Sequence, residues 1–161
     1  MFPSNLVNYA LFKFVHLLGV VLLVGNVTVT AVWKVFADRT GVPAVIAFAQ
    51  RMVTITDWTL TAGGVALLAV GGYGMAITTS MPLFTQRWLG VGQGMFALSG
   101  LIWIFVLIPT QIQQARAVRA FAVGQSAVPQ SYRVLSRRWI LWGVIATLPL
   151  LIAVFVMTSR I

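Results

Sequence analysis

Residues 139–157 read WILWGVIATLPLLIAVFVM, nineteen consecutive residues without a charged side chain. A helix needs about 20 such residues to cross the ~30 Å of a bilayer's hydrocarbon core. Three further apolar runs of similar length lie at 9–32, 55–77 and 89–108. The chain is 60% hydrophobic and 8% charged, with a mean hydropathy of +0.96. These values indicate an integral membrane protein with four spans.

The continuity of the four runs predicts helices. Strands of a membrane barrel alternate polar and apolar residues over about ten positions, whereas these runs are apolar throughout. The chain has 161 residues, so the connections are too short to build a separate soluble core. We therefore expect an all-α fold, a four-transmembrane-helix bundle that forms one integral membrane domain over residues 1–161.

Positive charge is concentrated between the runs. The chain has 11 Lys and Arg residues against two Asp, which gives a formal net charge of +9. Only Lys13, Arg87 and Arg160 fall on the side of the termini and the second connection. The first and third connections hold the other eight, namely Lys34, Arg39, Arg51, Arg116, Arg119, Arg133, Arg137 and Arg138.

Cytoplasmic loops of membrane proteins carry this kind of excess of positive charge. The bias predicts that both termini are periplasmic in a bacterial inner membrane. It also explains the net charge without nucleic-acid binding, and it favours anionic lipid as a partner of the cytoplasmic loops.

His16 is the only histidine of the chain. It lies about 10 Å into the outer half of the first span, counted at 1.5 Å per residue. An ionisable group at that depth is costly and suggests function. The imidazole is interpreted as an axial ligand of b-type haem, as a proton carrier, or as a neutral ring hydrogen-bonded to a neighbouring helix.

Lys13 lies one helical turn from His16 and shares its face. Its ammonium group would either meet a haem propionate or extend to the outer interface. Arg87 is a second candidate for the propionates on that side. The second axial position would be filled by a methionine such as Met75 or Met95, be supplied by a partner chain, or stay open.

Asp57 lies near the cytoplasmic start of the second span. An ion pair with Arg51, Lys34 or the Arg137 and Arg138 pair would fix the first connection to the third. The alternative is a role in a proton or cation relay.

Gly90 and Gly94 form a small-xxx-small pattern at the start of the third span. Such pairs allow the backbones of two helices to approach closely. We expect another helix to pack against them, either from the same chain or from a second subunit of a homo-oligomer or larger membrane complex.

Several kinds of active site are excluded by composition. The chain has no cysteine and one histidine, so it cannot form a zinc or copper cluster from protein ligands alone. Asp38 is expected in a turn at 38–41, which leaves Asp57 without a second buried carboxylate for acid–base chemistry. The sequence therefore offers no recognisable catalytic constellation. It favours a protein without enzyme activity and leaves that question open.

Several segments spread over the chain resemble a family of bacterial membrane proteins known as domain of unknown function 2269. The segments are Phe14-Val-His16-Leu-Leu-Gly, Arg51 with Asp57-Trp58, Trp88-Leu89, Trp103 to Pro109-Thr-Gln111, and Pro129 with Tyr132. Residues 60–64 depart from the family pattern because they lack a proline. The family is distantly similar to copper-resistance and protoporphyrinogen-oxidase membrane proteins, which also place a histidine early in the first helix. This likeness implies haem or porphyrin as a ligand, and it carries over only to His16.

Three classes of function are compatible with the sequence, and it favours an accessory or interaction subunit, because helix packing and membrane orientation explain every feature described above. An accessory or interaction subunit would use its glycine faces and basic loops to contact partners and lipid. A haem or redox protein would use His16. A permeation protein would line a path with Asn26, Gln93 and the threonines of the second span.

Overall fold

The computed structural model describes residues 4–83, 85–121 and 127–160, which are almost entirely helical and contain no strand. The helices are α1 (Ser4–Thr40), α2 (Pro43–Thr56), α3 (Ala62–Thr78), α4 (Arg87–Ile102), α5 (Ile108–Phe121) and α6 (Gln130–Ser159). A first π-helix (Asp57–Thr61) joins α2 to α3, and a second (Trp103–Leu107) joins α4 to α5. The prediction of an all-α fold is confirmed.

Four continuous helices are long and apolar enough to cross a membrane, namely Asn5–Thr40, Pro43–Thr78, Arg87–Phe121 and Gln130–Ser159. Each predicted apolar run lies inside one of them. Helices of 30 to 36 residues extend about 45–54 Å at 1.5 Å per residue, which is more than the hydrocarbon core. The helices therefore continue beyond the bilayer. Their orientation in the membrane stays a prediction.

The first connection is far shorter than the sequence predicts. The chain turns where the sequence predicts, and the Gly41 N–H donates to the Asp38 carbonyl at 3.3 Å. Asp38 is nevertheless helical, because α1 continues to Thr40 and α2 begins at Pro43. Gly41 alone turns the chain, with a φ of +66° that glycine adopts readily at a helix C-terminus. Pro43 is suited to its place because a proline at the first helical position gives up an N–H group that has no partner there. Asp38 is thus a helical residue with fixed neighbours.

The second π-helix ends at Leu107, two residues before Pro109. A proline inside a helix has no N–H to donate, and its ring clashes with the carbonyl four residues earlier. The wider turn of a π-helix relieves this conflict. The helix then runs on past Pro109 as α5, with Arg116 and Arg119 exposed.

The chain forms two compact units. The first unit contains Met1–Thr30 and Ile55–Thr85, and the second contains Ala31–Thr54 and Gln86–Ile161. In the first unit, α1 and α3 pack through glycines. A Cβ atom added at Gly19 would lie 2.7 Å from the Gly64 carbonyl oxygen, and one added at Gly71 would lie 2.6 Å from His16 Cα. Only glycine permits backbones this close.

The second unit is built around two buried apolar clusters. The first cluster contains Ile46, Val118, Phe121, Val128 and Tyr132. The second contains Val53, Leu107, Trp139 and Ala146. The N-terminal end of α4 packs on the C-terminal end of α6, where a Cβ atom added at Gly92 would lie 2.5 Å from Met157 Cε.

Gly90 and Gly94 do not have the packing role expected within the chain. No atom of the described residues lies within 4 Å of a Cβ atom placed at either glycine, and both are exposed. Gly92 between them makes the close contact instead. A second subunit against Gly90 and Gly94 stays a prediction.

Large apolar side chains cover the outside of the helices. Ile77 is 76% exposed, Phe105 71% and Val21 66%. In a membrane protein these side chains contact lipid, and the buried positions are free to hold polar groups. The interior of each unit does contain such groups.

Candidate functional site

His16 is held by one hydrogen bond in the first unit. Its Nδ1 atom lies 2.8 Å from the carbonyl oxygen of Leu68 on α3. A carbonyl oxygen only accepts, so we assign the proton to Nδ1 and the free lone pair to Nε2. The ring is half-buried. His16 thus has one nitrogen fixed against the protein and the other in the form that binds a metal.

Two adjacent glycines of α3 make room for this histidine. A Cβ atom at Gly72 would lie 3.2 Å from His16 Nδ1, and one at Gly71 would meet the backbone of His16. Any side chain at these positions would displace the imidazole or the helix that carries it. The seam between α1 and α3 therefore sets the position of the ring.

The other residues predicted around a haem lie in different parts of the chain. Lys13 is exposed on α1, and Met75 is half-buried on α3, three residues after Gly72. Arg87 is exposed at the start of α4, and Met95 is half-buried farther along that helix; both belong to the second unit. His16, Lys13 and Met75 belong to the first unit, and the haem-binding roles of all five residues stay predictions.

Asp57 is part of a second polar group in the first unit. Its Oδ1 atom accepts hydrogen bonds from Asn26 Nδ2 at 3.1 Å and from Thr61 Oγ1 at 3.2 Å. Asn26 Nδ2 also donates to Thr61 Oγ1 at 2.9 Å. The first π-helix begins at Asp57 and ends at Thr61, so both side chains are presented to the same asparagine. This group stabilises the contact between α1 and the second span, and the expected pairing with Arg51 or another basic residue stays a prediction.

Asn26 is not arranged as the lining of a path. Its amide hydrogens are both used by Asp57 and Thr61, and its backbone carbonyl accepts the hydroxyl of Thr30 at 2.7 Å. Most of the other described threonines of the spans donate to carbonyls one turn earlier in their own helices, as Thr59 does to Ile55 at 2.9 Å. These groups satisfy the local backbone.

Sequence reasoning missed a buried polar group in the second unit. Lys34 is 1% exposed, and its Nζ atom donates to the Tyr132 hydroxyl at 2.8 Å and lies 3.5 Å from Asp38 Oδ2. The Tyr132 hydroxyl donates to Asp38 Oδ1 at 2.8 Å, and Ser136 donates to Asp38 Oδ2. We call these four residues the lysine cluster. It ties the C-terminal part of α1 to the start of α6.

One signal for the lysine cluster is visible in the sequence. Lys34 and Asp38 are four residues apart and would share a face if the helix continued. The expected turn at 38–41 hid this relation. Tyr132 and Ser136 have the same spacing on α6, but the contact between the two helices spans 94 to 98 residues and has no local pattern.

The fold and these interior polar groups define an integral membrane protein with four membrane-length helices. The sequence model of the family described as "Predicted integral membrane protein (DUF2269)" matches residues 10–161. The chain belongs to this family. No curated protein and no solved structure matches it.

Proposed function

We propose that this protein binds b-type haem in the membrane, with Nε2 of His16 as an axial ligand. The hydrogen bond between His16 Nδ1 and the Leu68 carbonyl carries the proposal. Histidines that bind metals commonly donate their other N–H to a backbone carbonyl, which fixes the tautomer and the ring orientation. His16 has this arrangement on a helix pair that glycines hold in close contact.

The donor set of the chain fits haem better than a bare metal ion. Among the described residues, no three His, Cys, Asp or Glu side chains come together at a metal site. A metal bound by His16 must therefore bring its own ligands, as the iron of a porphyrin does. Bound haem would supply one-electron transfer.

Two further residues of the first unit would hold the haem, one at a propionate and one at the iron. Lys13 is exposed one turn before His16, where an ammonium group suits a carboxylate such as a propionate. Met75 supplies a thioether on the facing helix, and a partner chain or an open position would serve equally as the second axial site.

An absorption spectrum of the purified protein, first oxidised and then reduced with dithionite, tests the proposal. We expect a Soret band and a reduced α-band in protein produced with haem supplied. Both bands should disappear in His16→Ala. They should also disappear in His16→Gln, whose amide can still donate to the Leu68 carbonyl but provides no imidazole.

His16→Gln separates the two roles of the histidine. A folded His16→Gln variant that keeps the bands would show that another residue binds the iron. Colourless parent protein, even after haem is added, would contradict the proposal and leave an accessory or interaction subunit as the better reading.

We further propose that a group of exposed arginines in the second unit binds anionic phospholipid in a bacterial inner membrane. The group consists of the seven arginines of the predicted cytoplasmic side, namely Arg39, Arg51, Arg116, Arg119, Arg133, Arg137 and Arg138. Asp38 is the one acidic side chain of that unit, and Lys34 and Tyr132 of the lysine cluster contact it. Large apolar residues such as Phe48 and Val134, 66% and 57% exposed, alternate with these arginines. This mixture is typical of segments at a phosphate-rich interface.

Melting curves in mixed micelles test the lipid proposal. Phosphatidylglycerol should raise the melting temperature above the value in phosphatidylcholine, and 0.5 M salt should reduce the difference because it screens exposed charges. The double variant Arg137→Gln with Arg138→Gln should respond less, whereas Arg160→Gln at the opposite end of α6 should respond like the parent. Equal melting temperatures in the two lipids would contradict this proposal.

A further inference from the structure

A layer of polar side chains lies between the two apolar clusters of the second unit. On α6, Tyr132 belongs to the first cluster and Trp139 to the second, and Ser136 lies between them. Lys34 Nζ lies 5.1 Å from the centre of the Tyr132 ring and 5.7 Å from that of Trp139. The lysine cluster therefore occupies the level between the clusters.

Two glutamines reach the same level from other helices. Gln50 on α2 falls between Ile46 of the first cluster and Val53 of the second. Gln114 on α5 falls between Val118 and Leu107, which belong to the first and second clusters respectively. Gln50 is 1% exposed and Gln114 is 0% exposed. We call the lysine cluster together with Gln50 and Gln114 the polar layer.

The polar atoms of these glutamines have no partner in the described part of the protein. Among the described residues, neither the oxygen nor the nitrogen of either amide makes a hydrogen bond. The indole nitrogens of Trp33 and Trp139 are also buried without a hydrogen bond to any described residue. Trp139 belongs to the second cluster, and Trp33 packs on it. A buried polar atom without a partner is strongly unfavourable. A bound molecule that forms hydrogen bonds with these groups would therefore stabilise the protein.

We propose that the polar layer binds water molecules in the interior of the second unit. The unsatisfied atoms include donors and acceptors together, and water supplies both from a single small molecule. The charges of Lys34 and Asp38 compensate each other, so nothing in the layer selects an ion. Glutamines that are at most 1% exposed leave no open mouth for a larger solute.

The side chain of Asp38 gives this water a connection to solvent. The Asp38 side chain is 18% exposed, whereas the Lys34 side chain that it contacts is 1% exposed. Water that enters beside Asp38 meets Lys34 first and the glutamines of the same layer next. The apolar clusters on either side would stay dry.

Hydroxyl-radical footprinting of the full-length protein in nanodiscs, by a short X-ray pulse in oxygen-18 water, tests the proposal. Radicals formed from bound water label the aromatic rings beside it even where bulk solvent is excluded. Tyr132 and Trp139 should be labelled several-fold more than Phe121. Phe121 is a suitable internal control because it is 0% exposed and lies in the first apolar cluster, with its ring 5.4 Å from that of Tyr132.

A pair of variants identifies the groups that hold the water. In Gln50→Met with Gln114→Met, which keeps the side-chain volume and removes both amides, labelling of Trp139 should fall to the level of Phe121. Gln113→Met, at an exposed position of the same helix, should leave the labelling unchanged.

The parent protein alone decides the main point if the double variant does not fold. Labelling of Tyr132 and Trp139 no greater than that of Phe121 would show a dry layer and overturn the proposal. Unchanged labelling in a folded double variant would overturn the role of the glutamines. An organic molecule of defined mass, retained by the parent in native mass spectrometry and lost in the double variant, would replace water as the ligand and also contradict the proposal.

Discussion

Asp38→Ala is expected to lower the melting temperature of the detergent-solubilised protein by on the order of 10 °C. The substitution leaves the Lys34 ammonium, which is 1% exposed, without its countercharge. It also removes the acceptor of the Tyr132 and Ser136 hydroxyls. Breaking one side of a buried ion pair costs about 3–5 kcal/mol, and less where water reaches the pair. Differential scanning fluorimetry of parent and variant measures the loss.

A double variant separates the ion pair from general damage to α1. Lys34→Met with Asp38→Ala leaves no charge in the lysine cluster, so it should be more stable than Asp38→Ala alone. Arg39→Ala removes the neighbouring, exposed charge and should melt close to the parent. If Asp38→Ala melted no lower than Arg39→Ala, the lysine cluster would not stabilise the second unit.

Gly71→Ala is expected to destabilise the first unit by about 1–3 kcal/mol or more, as overpacking of a close contact does. The added methyl group would lie 2.6 Å from both His16 Cα and the Phe12 carbonyl oxygen. These are backbone atoms, so no side-chain rotation relieves the clash and α1 must move away from α3. Unfolding in increasing denaturant, followed by tryptophan fluorescence, measures the change.

Two glycines of the same helix pair serve as matched controls. A Cβ atom at Gly25 or Gly63 meets no described atom within 4 Å. Alanine is the better helix former, so both substitutions should leave stability unchanged or raise it by about 0.4–1 kcal/mol. Equal effects at Gly63 and Gly71 would contradict the close packing of α1 on α3.

Hydropathy located the four spans but not where their helices end. The run at 139–157 is apolar because lipid surrounds it, and this requirement is local to the sequence. The last part of α1 contains Lys34 and Asp38, whose partners lie 94 to 98 positions later in the chain. The turn at 38–41 is present, but a local signal does not tell that Asp38 is still helical and faces α6.

The candidate haem ligand followed directly from composition, because a single histidine in an apolar run is conspicuous. The glycines at which helices pack together could not be identified from the sequence. The small-xxx-small pattern selected Gly90 and Gly94, whereas the backbones meet at Gly19, Gly64 and Gly71, and Gly92 contacts the side chain of Met157. Spacing tells which glycines share a face, but it does not tell which face meets a neighbour. The buried glutamines were missed for a related reason, since polar residues beyond an apolar run are ordinarily assigned to solvent.

The first π-helix gives the second span a place where its length can change without disturbing the contact with α1. A π-turn contains one residue more than an α-turn, so deleting one residue of Asp57–Thr61 would leave a regular α-helix whose flanking faces keep their register. The face with Gly64, Leu68 and Gly71 would then stay on α1. A deletion between Gly64 and Leu68 has no wide turn to absorb it, so the residues after it would rotate by about 100° relative to those before it, and His16 would lose its carbonyl partner. Differences in length within the second span of the family are therefore expected to fall in the π-helix.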